Sequence, residues 1–182
     1  MKTCIFVYNG FTHFEVMITS LLMKSNSEII VAGLDKSDVV SFEGFTIKPD
    51  TTLTDISLSD LDLFVIPGGT PEEIYDNYNL LEALQYLNNQ NILIAAICAG
   101  PLHLARAGIL DGKKFTVDNP EYEKYNQDFR NGTYLEEIVV KDGNIITAKP
   151  TGYIDFALEI GRALDIFENE KAYQETAAFF KQ

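Results

Sequence analysis

Cysteine, histidine and positive charge are all scarce in this chain of 182 residues. It has two cysteines and two histidines, and its 14 lysines and arginines stand against 27 aspartates and glutamates, a net charge of −13 at pH 7. Cys4 and Cys98 lie in apolar contexts that do not suggest a disulfide framework, so we interpret each as a free thiol. A surface this acidic repels phosphate backbones and anionic lipid headgroups, so nucleic acid and membranes are not expected partners.

Long apolar runs are also missing. The most apolar stretch, residues 92–97, is far shorter than the roughly 20 residues needed to cross a bilayer. The N-terminus has no basic segment followed by an apolar stretch of the kind that directs secretion, so a cytoplasmic location is expected. Repeats, low-complexity tracts and linkers are absent as well. The sequence therefore predicts a single domain over residues 1–182.

Apolar segments alternate with segments of helical periodicity along the chain. Buried strands are predicted at residues 2–8, 28–34, 61–66 and 92–97, and hairpins at 39–49 and 136–149. Helices are predicted to start near Thr12 and to cover residues 72–89, 102–107, 153–164 and 169–180. This alternation indicates an α/β fold, a three-layer sandwich with a mostly parallel sheet. Ligands bind beyond the carboxyl ends of such strands, where Tyr8, Pro67-Gly68-Gly69 and Cys98-Ala99-Gly100 lie.

Cys98 is the leading candidate for chemistry. It follows the most apolar predicted strand, and small residues, Ala96 and Gly100, stand two positions before and after it. This is the layout of a nucleophile elbow, in which a tight turn lifts the side chain out of the sheet. A helix beginning just after Cys98 points free N–H groups at the sulfur, which predicts a lowered thiol pKa. A buried structural cysteine is the alternative, and it is the interpretation we favour for Cys4.

Two further features lie near the same strand ends. The Pro67-Gly68-Gly69 turn lets the backbone approach a ligand, and with the Ala99 N–H it can form an oxyanion hole; a plain strand-to-helix turn is the alternative. Glu15 lies at the edge of the apolar face of the first helix, so its carboxyl is expected to have a raised pKa and to donate to a thiolate. Thr12-x-x-Glu15 also fits a capping box, and the residues alone favour that local role.

In this order, these motifs resemble the DJ-1/ThiJ/PfpI family of the class I glutamine amidotransferase-like superfamily. The resemblance spans nearly the whole chain and rests on residues 15, 66–69, 96–101 and 154–159. It implies a flavodoxin-like sandwich, usually a homodimer. It also implies that Cys98 is the reactive thiolate, that Glu15 is the protonated acid bonded to it, and that Gly69 and Ala99 are the oxyanion donors.

One feature of the family is missing here. Hydrolytic and glyoxalase-like members place a histidine directly after the cysteine or further along the chain, but this sequence has Ala99 at the first position and Asp118 or Asn119 at the second. A carboxylate beside a thiolate raises the thiol pKa and does not activate the sulfur. We therefore expect Asp118 to contact substrate, together with Asn119 and Gly68.

Other candidates are weaker. His13 and His103 could act as bases, although packing or surface roles are commoner for histidines in such positions. Tyr122, Tyr125 and Phe129 have the helical spacing of a lid over the site, or of a stripe packed on the body of the protein. No cofactor or metal is expected, because a dinucleotide fingerprint, a phosphate-binding loop and spaced ligand clusters are all lacking.

Two functions follow from these residues. In the first, the chain is an enzyme in which the Cys98 thiolate attacks an electrophilic carbon of a small molecule, as a hydrolase, a hydratase or a glyoxalase or deglycase. In the second, Cys98 is a redox sensor in oxidative stress that passes to sulfenic and then sulfinic acid, with Glu15 stabilising the oxidised form. A ligand-binding protein without chemistry is the third possibility.

Overall fold

The apolar segments become the strands of one large sheet in the computed structural model, which describes residues 1–181. The strands are β1 Lys2–Phe6, β2 Glu28–Gly33, β3 Val39–Val40, β4 Thr46–Ile47, β5 Thr51–Thr52, β6 Leu63–Ile66, β7 Leu93–Ile97, β8 Lys114–Phe115, β9 Thr133–Tyr134, β10 Val139–Asp142 and β11 Ile145–Ala148. Seven of them in the described part of the chain form a sheet of order β10-β11-β7-β6-β1-β2-β5. Every neighbouring pair is parallel except the β10–β11 hairpin.

The sheet is covered on both faces by helices. These are α1 Phe14–Met23, α2 Tyr78–Asn89, α3 Pro101–Arg106, α4 Asn119–Lys124, α5 Asn126–Phe129, α6 Tyr153–Ala163 and α7 Glu170–Lys181. Helix α1 packs on α6 and α6 on α7, whereas α2 packs on α3 and β7. All residues of β6 and β7 are buried, which explains why these strands are apolar throughout. The predicted three-layer α/β sandwich with a mostly parallel sheet is confirmed.

Helix α2 begins later than its periodicity predicts. The side chain of Asn77 accepts a hydrogen bond from Leu80 N at 3.1 Å and caps the helix there. The preceding residues, Pro71–Glu73, form a short 3₁₀ turn instead. No helix within residues 1–181 has both the length and the apolarity needed to span a bilayer.

Helix α1 is oriented differently from the sequence expectation. Its apolar side chains Phe14, Met17 and Leu21 are 42%, 52% and 55% exposed, whereas Glu15 is 1% exposed and Thr19 is fully buried. Glu15 was expected only at the edge of the buried face. Its carboxyl instead lies in the interior, where it accepts a hydrogen bond from Gly68 N–H. The apolar stripe lies on the surface.

Candidate active site

Cys98 occupies the turn between β7 and α3. Its φ is 61°, in the left-handed region that residues other than glycine rarely adopt. Its N–H donates to Ala148 O at 2.9 Å, and Gly100 N–H donates to Ile97 O at 2.8 Å, so the turn is tied to β11 and closes on its own strand. The small residues around Cys98 allow this sharp reversal. The predicted tight turn is present, and it places the thiol beyond the carboxyl edge of the sheet.

The carboxyl of Glu15 lies beside this thiol. Gly68 N–H donates to Glu15 Oε2 at 2.7 Å, and the carboxyl lies close enough to the Cys98 thiol to shift its pKa. Glu15 is therefore not part of a capping box with Thr12, and that interpretation is wrong. No side chain of the neighbouring residues caps α1, because its first N–H groups are bound by Glu43 from another part of the chain.

The protonation of Glu15 is set by its surroundings. Burial raises the pKa of this carboxyl to about 7; the Gly68 N–H and the Cys98 thiol oppose the rise, and the nearby carboxylates of Glu43 and Asp118 add to it. The expected rise of the Glu15 pKa is therefore confirmed. A carboxyl with this pKa exchanges its proton in the neutral pH range.

The thiol of Cys98 behaves differently from the sequence expectation. Burial raises its pKa, and the carboxyls of Glu15 and Asp118 raise it further, while only the Ala99 N–H lowers it. The predicted lowering by the start of α3 is wrong, because that short helix is outweighed by burial and by two carboxyls of like charge. The Cys98–Glu15 pair thus loses the first of its two protons near pH 7 and keeps the second well above it.

Gly68 packs directly against the cysteine. A Cβ on Gly68 would lie 2.5 Å from Cys98 Cβ and 2.8 Å from Sγ, so only glycine fits here. Its N–H binds Glu15, and its carbonyl accepts from Tyr8 Oη at 2.8 Å and Thr12 N at 2.9 Å. Both polar groups of Gly68 are used within the protein. Gly68 therefore has a packing role, and its expected substrate contact stays a prediction.

The proposed oxyanion donors lie on either side of this contact. Gly69 has a φ of 126°, and within residues 1–181 its N–H donates to no acceptor. The Ala99 N–H lies near the sulfur and lowers the Cys98 pKa. Ala99 N would also lie 2.9 Å from a Cβ built on Gly68. The two N–H groups thus belong to adjoining segments at the thiol, and their oxyanion role stays a prediction.

Asp118 and Asn119 were expected to contact substrate, and Asp118 lies at the thiol. Asp118 N–H donates to Cys98 O at 3.2 Å, and its carboxyl acts on the pKa values of both Cys98 and Glu15. Asn119 is exposed, and its Oδ1 accepts from Tyr134 Oη at 2.8 Å and from Lys149 Nζ at 2.9 Å. This surface network occupies the amide oxygen of Asn119, and the expected substrate contact of the residue stays a prediction.

Neither histidine joins the cysteine. His103 is fully buried, packs edge-on against Tyr8, and has its pKa lowered by burial to about 4, so its ring is neutral at physiological pH. His13 packs between Phe11 and Phe45. Both histidines therefore have the packing role that the sequence favoured.

The aromatic stripe after Pro120 packs on the body of the protein. Tyr122 stacks on Tyr134 with ring centroids 4.2 Å apart, and Phe129 stacks on Phe115 at 5.1 Å. Tyr125 stacks on Tyr75 at 5.3 Å. These contacts support the packing interpretation over the lid.

Tyr8 lies at the site, as its strand-end position predicted, whereas two nearby acidic residues, Glu72 and Glu121, were missed by the sequence reasoning. The Tyr8 hydroxyl binds the Gly68 carbonyl, and its pKa is raised by burial and then by Glu15, Cys98, Glu121 and Glu72. Glu72 and Glu121 therefore add negative charge to the same side of the sheet. The position of Tyr8 at a strand end was the available signal, whereas no local pattern marks the two glutamates. Within residues 1–181, no group of three His, Cys, Asp or Glu side chains is arranged to hold a metal ion.

The fold and the site together define a class of α/β protein. Its members carry a cysteine on a strand-to-helix turn, a buried carboxyl beside the thiol and a glycine turn packed against both. The chain belongs to the DJ-1/PfpI family, whose sequence model matches residues 1–163.

Similar proteins come from archaea and animals. An uncharacterized protein of Methanocaldococcus jannaschii is 35% identical over 83% of this chain and 76% of its own length. Deglycase PfpI of Pyrococcus furiosus is 28% identical over 84% of this chain and 92% of its own length. The crystal structure of Drosophila melanogaster DJ-1beta superposes with a TM-score of 0.84 at 30% identity, covering 99% of this chain and 98% of that one. Other relatives are named deglycases or an uncharacterized protease, so enzymes are named within the family.

Proposed function

We propose that this protein is a cysteine-dependent enzyme that acts on small reactive carbonyl compounds, as a glyoxalase or deglycase or a related hydrolase. The observation that carries the proposal is the position of Glu15, a buried carboxyl held between the Gly68 N–H and the Cys98 thiol, with a pKa of about 7. A general base works best when its pKa lies near the operating pH. The deglycase names among the relatives support the same class of substrate.

The first chemical step uses this pair. Above about pH 7 the Glu15 carboxylate accepts the proton of the Cys98 thiol while Sγ forms a bond to the carbonyl carbon. The π electron pair of the carbonyl moves to its oxygen, and the N–H groups of Gly69 and Ala99 stabilise the resulting alkoxide. Glu15 then returns its proton to that oxygen or to the leaving group. This route explains how a thiol with a raised pKa reacts without a histidine.

The charge around the thiol selects the substrate. Asp118 adds negative charge at the Cys98–Glu15 pair, and Glu121 acts on the neighbouring Tyr8, while the carboxylate of Glu72 is paired with Lys124. Anionic compounds are repelled by such a site, whereas neutral carbonyls are not. Methylglyoxal is neutral, small and strongly electrophilic, and is therefore the substrate to test first.

The test follows methylglyoxal consumption by the wild-type protein, Cys98→Ala and Cys4→Ala. Removing the nucleophile should lower the rate by roughly a thousandfold or more, whereas Cys4→Ala should retain most of it. The wild-type rate should rise with pH through about 7, where Glu15 loses its proton. Methylglyoxal consumption that survives in Cys98→Ala, or is absent from the wild type, contradicts the proposal.

A redox sensor is the second candidate. It is favoured by the lack of any histidine at the thiol within residues 1–181 and by the partial exposure of Cys98, since Cys4 is fully buried. Mild peroxide should then add oxygen at Cys98 before Cys4 or the methionines, as measured by mass spectrometry of peptides. Indiscriminate oxidation counts against the sensor, and oxidation without methylglyoxal turnover favours it over the enzyme.

The homodimer expected from the resemblance stays a prediction, and α1 offers a surface for it. Phe14, Met17 and Leu21 are exposed on one side of that helix, and contiguous apolar side chains on a surface mark interaction sites. We propose that a second copy covers this stripe. Sedimentation should show a dimer for the wild type and a monomer for Met17→Glu, and a monomeric wild type contradicts the proposal.

A further inference from the structure

The first turn of α1 is capped by a side chain from another part of the chain. His13 stands at the cap position, but its side chain makes no capping hydrogen bond. The carboxylate of Glu43 instead accepts from His13 N and Phe14 N, each at 3.0 Å, using one oxygen for each. The first N–H groups of a helix have no partner within it, so an outside acceptor stabilises the start of the helix. Glu43 supplies this acceptor from 29 residues beyond Phe14.

The turn that carries Glu43 is fixed to the loop that leads into α1. Glu43 lies between β3 and β4, and the φ of 90° at Gly44 reverses the chain just after it. Gly10 N–H donates to Val40 O at 2.8 Å, and Phe42 N–H donates to Phe11 O at 2.8 Å. The segment just before Glu43 is therefore joined to the loop at two points. This arrangement holds the carboxylate at the start of α1.

Glu15 belongs to the same helical turn, one residue after Phe14. The turn is held from one direction by Glu43 and from the other by Gly68 N–H, which binds the Glu15 carboxyl. The Glu43 contact and the residue that faces Cys98 thus lie in one turn of α1.

The negative charge of Glu43 also acts on the Glu15 carboxyl. The titratable groups that act on Glu15 are Cys98, Glu43, Asp118 and Tyr8. Although partial burial raises the pKa of Glu43, the N–H groups that it accepts lower it overall, so Glu43 is ionised while Glu15 titrates. A fixed negative charge of this kind favours the protonated form of Glu15.

We propose that Glu43 is a positioning residue for the Cys98–Glu15 pair. Its carboxylate fixes the helical turn that carries Glu15 and places a negative charge beside that turn. The inference rests on the proposed function in one respect, since it takes Glu15 as the proton acceptor of Cys98.

The test measures the rate of Cys98 alkylation by iodoacetamide as a function of pH, in a Cys4→Ala background. Glu43→Gln keeps an oxygen acceptor for one helix N–H but removes the charge, so the midpoint near pH 7 should fall by about half a unit. Glu43→Ala also removes the cap, so the rate should fall at every pH and the thermal midpoint should drop. Glu28→Gln removes an exposed charge at the opposite edge of the sheet and should leave the profile unchanged.

The outcomes separate this inference from the proposed function. If Glu15→Gln shifts the alkylation midpoint upward while Glu43→Gln matches Glu28→Gln, the positioning role of Glu43 is wrong and the role of Glu15 stands. If Glu15→Gln leaves the midpoint unchanged, the proposed proton transfer fails first. A shift in both Glu15→Gln and Glu43→Gln, with normal helix content in the latter, supports both.

Discussion

The two cysteines of this protein belong to the same sheet and differ in almost everything else. Cys4 lies inside β1, paired with Ile30 on one side and Phe64 on the other, and none of its surface is exposed. Cys98 lies one residue beyond the end of β7, with a positive φ and part of its surface open. Both thiols have a raised pKa, Cys4 through burial to about 12. Burial therefore does not distinguish a reactive thiol from a structural one.

What distinguishes them is the neighbouring carboxyl. Burial alone raises the pKa of Cys4, and within residues 1–181 no side chain accepts a hydrogen bond from its thiol. Cys98 has Glu15 within reach, a group that can take the proton near neutral pH. A buried thiol becomes reactive when a second titratable group lies beside it and the backbone directs its side chain away from the core. Four predictions test or sharpen this comparison.

The largest expected difference is in chemical access. Iodoacetamide should alkylate Cys98 roughly a hundredfold or more faster than Cys4, because Cys4 reacts only when the sheet opens. Peptide mass spectrometry of the wild-type protein after timed alkylation measures both rates in one sample. Equal rates in the folded protein would show that the two thiols are not distinct.

The second prediction concerns Glu15, which has no counterpart at Cys4. Its folded pKa of about 7 exceeds the ordinary 4.5, so its contribution to stability is fully present below pH 4.5 and is lost as the pH rises through 7. Glu15→Gln removes this loss, so the stability difference between variant and wild type should change by roughly 3 kcal/mol across that window. Urea unfolding at several pH values measures it. If the stability difference between the two proteins stays constant with pH, the Glu15 carboxyl is solvated in the folded protein.

A third prediction uses the contact between Gly68 and Cys98. Gly68→Ala should cost about 1–3 kcal/mol, because the new Cβ would meet the Cys98 side chain, and it should also change the alkylation rate of Cys98. Gly33→Ala is the matched control, since a Cβ there meets Asp35 O at 2.8 Å but lies away from either thiol. The control should lose stability and keep the Cys98 alkylation rate. If Cys98 is alkylated at the same rate in Gly68→Ala and Gly33→Ala, the contact between Gly68 and Cys98 is wrong.

The smallest expected effect is in the stability difference between the glycine and alanine variants, which should have opposite signs at the two cysteine positions. At position 98 the positive φ makes Cys98→Gly more stable than Cys98→Ala by about 1 kcal/mol. At position 4, inside a strand, Cys4→Gly should be less stable than Cys4→Ala by roughly 0.5–1 kcal/mol. Thermal unfolding of the four variants measures both differences. The same sign at both positions would mean that the Cys98 turn is not strained.

The features that the sequence predicted well are local ones. The strands are recognisable because parallel strands buried on both faces must be apolar throughout, as β6 and β7 are. The tight turn at Cys98 is recognisable because only small neighbours fit there. Both signals lie within a few residues of the feature that they predict.

The errors come from contacts between distant segments. Thr12 and Glu15 fit a capping box, but Gly68, 53 residues further on, supplies a stronger partner for the carboxyl. The raised pKa of Cys98 depends on the same nonlocal carboxyls. No local pattern contains this information, because tertiary packing decides it.

The wide spacing of the site along the chain also bears on how the protein folds. The bond from Gly68 to Glu15 spans 53 residues, and it forms only when β1 and β6 lie side by side. Nonlocal pairings of this kind close late in folding and slowly. Until then Cys98 is an ordinary thiol, no different from Cys4 and equally open to an oxidant. The distinction between the two cysteines is thus acquired at the end of folding, and a chain oxidised before that moment risks a crosslink between them that the native sheet does not contain.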